Sequence, residues 1–480
     1  MVLVALLVLA CTAKAQSQDD FEAFRRQARS NYDAFKSQTQ QEYADFRKRA
    51  NEEYARFMQE AWQQMRVIKG EEPPAKPKPP RPAIAVPDRI PDAQPVPYAE
   101  VVPKPRKVAP PTLPNIPEPA PTAPTLQVNL YNTPCNVHAG KNLRLTLASV
   151  DEKGAAAAWK QLSDERYDGL LHDCLEQRQA LHLCDWGYIE LTQQVSRSLM
   201  GGAGNEAVLL QMYLLTQSGM KVRIAKGDGH FALLVPFTDD IYSYSYVTID
   251  GQKYYLIDKT IKNDIAVCNV GFPKEHVADI RMAEMPRLAS QTQNRHVAAR
   301  KFATMQADVQ VNRGLIEFLN NYPVSSAWNH CANASLSPGL KASLYPMLRT
   351  QLQGKSQKKA AAMLLDFVQT AFEYKTDQEQ FGYERPLFGD ESFYYPYNDC
   401  EDRSILYSIL VCELLGLEVV LLNYPGHLAT AVCFTEGEVT GDYLTIQDKR
   451  YVVCDPTYIN AGVGECMPQF KSAKAKVVML

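Results

Sequence analysis

The 480-residue sequence predicts an α+β protein in which two tandem modules follow a long helix and a proline-rich linker. Three observations carry that reading. Aromatic residues recur every eleven positions near the N-terminus. Of the 31 prolines, 19 fall within 71–125. Residues 203–258 align onto 400–455 without a gap. The net charge of −3 provides no basic footprint for nucleic acid, so that class of partner is not expected.

The chain opens on an apolar run, Val2 to Ala10, too short to cross a bilayer as a helix. Ala13-Lys14-Ala15-Gln16 follows with small residues at alternate positions, and together they read as a signal peptide over 1–15. An alternative is a lipoprotein processing site at Val8-Leu9-Ala10-Cys11, to which Leu9 fits poorly, so anchoring at Cys11 is the less favoured reading. The expectation is a secreted or periplasmic, cell-envelope protein without a transmembrane span.

Residues 16–70 are expected to form a long amphipathic helix. Phe24, Phe35, Phe46 and Phe57 are eleven apart, as are Phe21, Tyr32, Tyr43 and Tyr54. Eleven residues make three turns at about 3.67 residues per turn, so these aromatics share one stripe. An isolated helix cannot bury such a stripe. It must pair with a second helix, pack on another domain or lie on a surface. A solvated spacer with a self-association face over 17–66 is the favoured expectation. The next segment, 71–125, is too rich in proline for helix or sheet and is expected to run as extended polyproline II, holding the helix away from the rest.

The gapless alignment contains 14 identities in 56 positions at a constant offset of 197, against roughly three or four from background composition. Gly219 matches Gly416, Gly229-His230 matches Gly426-His427, and Asp258 matches Asp455. The globular part therefore divides into related modules over 126–300 and 301–480. The eleven cysteines show no C-x-x-C spacing and imply no disulfide framework. Without an H-E-x-x-H pattern or a glycine-rich phosphate loop, neither metal nor cofactor is expected.

The second module concentrates the chemistry. Ile405, Leu406, Ile409, Leu410, Leu414 and Leu415 recur at helical spacing after Asn398-Asp399-Cys400-Glu401-Asp402, and Gly416 is a suitable C-cap. This places Cys400 at a helix start, where unpaired N–H groups favour a thiolate. The neighbouring acids oppose that effect, so a basic partner is needed. Residues 418–422, His427–Phe434 and Tyr451–Asp455 read as strands. Adjacent strands can set His427 beside Asp455, with the Cys400 helix across them. An imidazole that takes the thiol proton and a carboxylate that orients the imidazole are what nucleophilic thiol chemistry requires. Each residue alone also admits a structural role: a core cysteine, a hydrogen-bonded strand histidine, a turn cap before proline. For a second oxyanion donor beside the Cys400 N–H, Tyr394, Tyr395, Tyr397 and Asn398 are candidates by proximity.

These motifs resemble the transglutaminase-like superfamily. Its D-C-x-D helix start, L-G turn, G-H strand and D-P-T strand end are matched by Asp399-Cys400-Glu401-Asp402, Leu415-Gly416, Gly426-His427 and Asp455-Pro456-Thr457. The resemblance implies a papain-like α+β core, with Cys400 as nucleophile, His427 as general base and Asp455 as its orienting acid. In the first module Ala203 stands where Cys400 does. His230 and Asp258 remain, and Lys259-Thr260 replaces the Pro-Thr pair. That module is expected to be a catalytically inactive copy. The resemblance implies a secreted cysteine peptidase or amidase acting on a peptide or protein amide or isopeptide through a thioester. A protein-cross-linking acyltransferase and a non-catalytic envelope scaffold are the alternatives.

Overall fold

A computed structural model describes residues 2–73, 83–85, 93–105, 125–139, 143–257, 261, 263–289, 291–325, 328–437 and 439–480. The architecture is mixed α+β. Helix α1 (Val2–Phe57) leads to strand β1 (Gln63–Met65), β2 (Tyr98–Val102) and the hairpin β3 (Thr125–Leu130) and β4 (Thr133–His138). Four helices follow, α2 (Glu152–Leu162), α3 (Asp168–Ala180), α4 (Asp185–Met200) and α5 (Asn205–Gln217). Strands β5 (Arg223–Gly227), β6 (His230–Val235), β7 (Tyr246–Ile249), β8 (Gln252–Leu256) and β9 (Ile265–Cys268) complete the first half. The hairpin β10 (Thr292–Ala298) and β11 (Gln306–Asn312) spans the expected module boundary at 300/301. Helices α6 (Arg313–Asn320), α7 (Asn329–Asn333), α8 (Pro338–Leu352), α9 (Gln357–Thr370), α10 (Asp377–Gln380), α11 (Gly389–Tyr394) and α12 (Cys400–Leu415) precede β12 (Glu418–Tyr424), β13 (His427–Cys433), β14 (Tyr443–Ile446), β15 (Lys449–Cys454) and β16 (Ala475–Met479).

The two six-stranded sheets share one strand order. The first runs β7-β8-β6-β5-β9-β1 and the second β14-β15-β13-β12-β16-β2. Their registers correspond at the same offset of 197: Gly227 faces His230 as Tyr424 faces His427, Tyr246 faces Tyr255 as Tyr443 faces Val452, and Leu234 faces Leu256 as Ala431 faces Val453. Side chains alternate across each sheet with the two-residue period of a strand. In β12, Leu421 joins the large core shared with the helices, while Val420 and Leu422 join a smaller cluster on the opposite face. The first sheet has a corresponding small cluster built on Ala225, Leu234, Val247 and Val267.

Both sheets are curled, and in each an N-terminal segment stitches the two edges together. Residues 63–65 pair with β9 at one edge while Ile68 bridges Tyr246 on β7 at the other. In the second sheet β2 lies parallel to β16 while Pro95 bridges Tyr443 on β14. Occupied edges leave fewer open N–H and C=O groups for pairing with another chain.

This corrects two expectations. The long helix ends at Phe57, not near 70, because the chain turns there to supply β1 to the edge of the first sheet. The proline-rich segment 71–125 does form sheet: β2 falls in the proline-free run Tyr98–Val102, and Ala85 and Val96 are buried. Proline excludes a ladder donor only where it stands, and an edge strand tolerates it on either side.

The aromatic stripe of α1 divides in two. Tyr32 and Phe35 are exposed, whereas Tyr54 is buried against Trp159 (4.6 Å between ring centroids) and Phe272 (5.6 Å). Side chains of Phe21 and Phe24, and those of the expected leader 1–15, lie outside the described residues. Arg47 locks this end of the helix to the first half through Asp168 (2.5 Å), Gln217 (2.8 Å) and Tyr213 (2.9 Å). Among the described residues, no helix is long and apolar enough to cross a membrane.

Candidate functional site

Cys400 is the first residue of α12, and the cap that starts the helix explains its acidic neighbourhood. Asp399 is the N-cap; its carboxylate accepts from the N–H groups of Glu401 (3.0 Å) and Asp402 (3.5 Å). Asp402 reciprocates by accepting from the Asp399 N–H (3.1 Å), which completes a capping box. Asp402 also accepts from the Leu387 N–H (2.9 Å). Burial, together with Asp399 and Asp377, holds the Asp402 carboxyl well above the usual carboxylate range. Both of its oxygens are thus engaged by backbone N–H groups of the cap and its neighbour. Glu401 is different, because the Cys400 thiol donates to its Oε2 at 2.9 Å.

The strands supply the base. His427 opens β13 directly after the tight turn at Pro425-Gly426, where Gly426 has φ +74°, a conformation that favours glycine. His427 Nε2 meets Asp455 Oδ2 at 2.8 Å, leaving Nδ1 for a second partner. Burial pulls the imidazole pKa down. Asp455 and then the neighbouring Cys400 sulfur outweigh that and hold it up at about 10. The ring is clamped face to face by Phe470, at 4.8 Å with 6° between planes, and Tyr424 stacks on Phe470 in turn.

Asp455 follows β15, and its other oxygen accepts from the N–H groups of Thr457 (2.9 Å) and Tyr458 (3.3 Å). Gln369 on α9 fixes this turn from below, reaching the carbonyls of Asp455, Tyr458 and Ala461 at 2.8–3.1 Å. Ser404 ties α12 to β13 by donating to the Leu428 carbonyl (2.8 Å). The fold thus brings Cys400, His427 and Asp455 together from one helix and two strands. All three are buried, at 2%, 4% and 2% exposure, so the site is closed.

Two further residues belong to this site. Arg403, 1% exposed, donates to the carbonyls of Gln369 (3.2 Å) and Phe372 (2.9 Å) and lies over the Tyr374 ring. Burial lowers its pKa to about 10, with Tyr374, Asp399, Asp402 and Cys400 opposing, so it stays cationic at neutral pH. A charged residue inside an apolar helical run is the signal that could have singled it out. Tyr374 is pushed up by burial, Cys400 and Asp399, and its buried hydroxyl makes no hydrogen bond. Nothing in the local pattern marks Tyr374, which lies 26 residues before the cysteine.

Of the proximity-based donor candidates, two donate elsewhere and two make ring contacts. Tyr395 donates to Asn320 (2.6 Å), Asn398 donates to the Ser392 carbonyl (3.4 Å), and Tyr397 lies under Lys375. Tyr394 packs against Tyr395.

In the first half the two described members of the corresponding set, Ala203 and His230, are both exposed. Helix α5 starts at Asn205, two residues later than α12 in the aligned frame, so Ala203 lies in an exposed turn before the helix. Asn205 links the elements by accepting from the Phe231 N–H (2.8 Å). His230 is exposed at the start of β6, and Asp258 lies outside the described residues.

Asp399, Cys400 and Glu401 have donor atoms within 4.8 Å of one another, as do Asp377, Asp399 and Asp402. The backbone bonds just described already use Asp399 and Asp402, so neither group is organised around a cation. Compared with protein-family models, with curated proteins and with solved structures, the chain has no match.

Proposed function

We propose that the second module is a transglutaminase-like cysteine hydrolase cleaving an amide or isopeptide bond in a peptide or protein. The observation that supports this most directly is the buried His427–Asp455 pair at 2.8 Å, set against a cysteine at the first position of a capped helix. In the reaction the Cys400 thiol passes its proton to His427, and the sulfur adds to the amide carbonyl. His427⁺ then protonates the departing amine as the thioester forms. Water, deprotonated by His427, releases the acid and regenerates the thiol. The Cys400 N–H and the unpartnered Tyr374 hydroxyl are the donors for the oxyanion. Because the site is closed, substrate entry requires a covering segment to move. The protein is exported with its leader over 1–15, and the first module positions substrate.

The test is labelling of the full chain with iodoacetamide, mapped by mass spectrometry. Selective modification of Cys400 near neutral pH, abolished in His427→Ala, is the expected result. Labelling that ignores His427→Ala would sink the activated-thiol reading.

The burial of all three side chains favours a second reading, a non-catalytic envelope scaffold. In that case Cys400 stays unmodified in the folded chain and reacts only after denaturation.

A further inference from the structure

We propose that the first half carries a divalent transition-metal site where β4 meets α3, with His172, Asp173 and Glu176 as ligands and His138 orienting Asp173. His172 Nδ1 and one carboxylate oxygen each from Asp173 and Glu176 lie within 4.8 Å of one another. His172 and Glu176 are one helical turn apart, which puts both donors on one edge of α3. His172 Nδ1 is buried, makes no hydrogen bond, and faces Asp173 Oδ1 at 3.6 Å. An imidazole nitrogen left in that state is a lone pair or a proton without a partner, and a cation between it and the carboxylates satisfies it.

Asp173 is 5% exposed and held from its other side. Its Oδ2 accepts from the His138 backbone N–H and meets His138 Nδ1 at 2.6 Å. That leaves Oδ1 directed toward His172 and Glu176. Ligating carboxylates in protein metal sites are themselves hydrogen-bonded from behind, as Asp173 is by His138. Two carboxylates and a neutral imidazole balance a dication, and a nitrogen ligand selects zinc-like ions over magnesium or calcium. Three protein ligands leave a fourth position for water. The ligands stand at local helical spacing, but the residue that orients Asp173 is not legible beside them, because His138 comes from a strand 34 residues before His172.

The test is zinc retention by the full-length chain after equilibration with Zn²⁺ and removal of free metal, read by elemental analysis. One equivalent is expected in the wild type and in Cys400→Ser. It is expected to be lost in His172→Ala and Glu176→Gln, and His138→Ala should weaken binding by about 10–100-fold. Glu176 is exposed, so E176Q should retain the circular dichroism spectrum of the wild type and test the site in a folded chain. A wild-type chain that retains less than one equivalent, or an E176Q chain that retains as much as the wild type, overturns the proposal.

Discussion

Cys400 hydrogen-bonds Glu401 at 2.9 Å while His427 waits beside it with a pKa of about 10. His427 favours transfer of the thiol proton to give a thiolate–imidazolium pair, whereas Glu401 accepts that hydrogen while leaving it on sulfur, and its charge also opposes a thiolate. Glu401→Gln removes that charge. The rate of Cys400 alkylation at pH 7 is expected to rise severalfold, and an unchanged rate would show that Glu401 does not restrain the thiol. Tyr374→Phe removes only a hydroxyl. Loss of an oxyanion donor costs about 10²–10³ in kcat, so turnover on an amide substrate should fall by that order while alkylation of Cys400 persists.

The His427–Asp455 pair also has a pH signature. The imidazole pKa is raised from 6.5 to about 10 on folding. The folded state thus holds the proton more tightly, and the stabilisation is fully present below about pH 6.5 and lost as pH rises through about 10. Urea titrations of the wild type and Asp455→Asn should differ most near pH 6 and converge toward pH 10.

At the scale of elements, α12 begins where its cap dictates. Asp399→Ala should lower stability by about 1 kcal/mol or more in urea unfolding, since both the cap and the reciprocal bond from Asp402 are lost. The helix itself was legible in the sequence, because its apolar spacing, its cap residues and Gly416 all agree. So were β13 and β15, whose apolar runs are bounded by Gly426 and Pro456. The fate of α1 was not legible. An eleven-residue stripe specifies which side chains share a face but not what covers that face. The structure covers only its C-terminal end, where Tyr54 meets Trp159. Tyr54→Ala is expected to cost about 3–5 kcal/mol, whereas Phe35→Ala, on the exposed part, should be close to neutral by thermal unfolding.

Across the whole molecule, the proline-rich segment acts as a strap. Its proline-free run pairs with β16, and Val96 enters the small cluster that also holds Phe470 and Tyr424, the rings stacked beside His427. Val96→Asp places a charge in that cluster and should release the strap. Cleavage after Glu100 by a glutamate-specific protease is then expected to accelerate well before global unfolding, and an unchanged rate would mean the strap is not held through Val96. Loosening the strap should also speed alkylation of Cys400, since the cluster that clamps His427 loses one wall.

Local sequence was enough for the repeat, for the Cys400 helix and the three strands that follow it, and for Cys400, His427 and Asp455 as residues worth bringing together. These follow from local rules: apolar periodicity, caps, turn glycines and an offset that survives over 56 positions. Long-range packing settles that the site is closed, that the acids beside Cys400 are mostly caps, and that Arg403, Tyr374 and Gln369 surround it. It alone decided that a proline-rich stretch becomes the seam of a curled sheet. Burial and edge pairing depend on what packs from distant parts of the chain, and no local pattern records that.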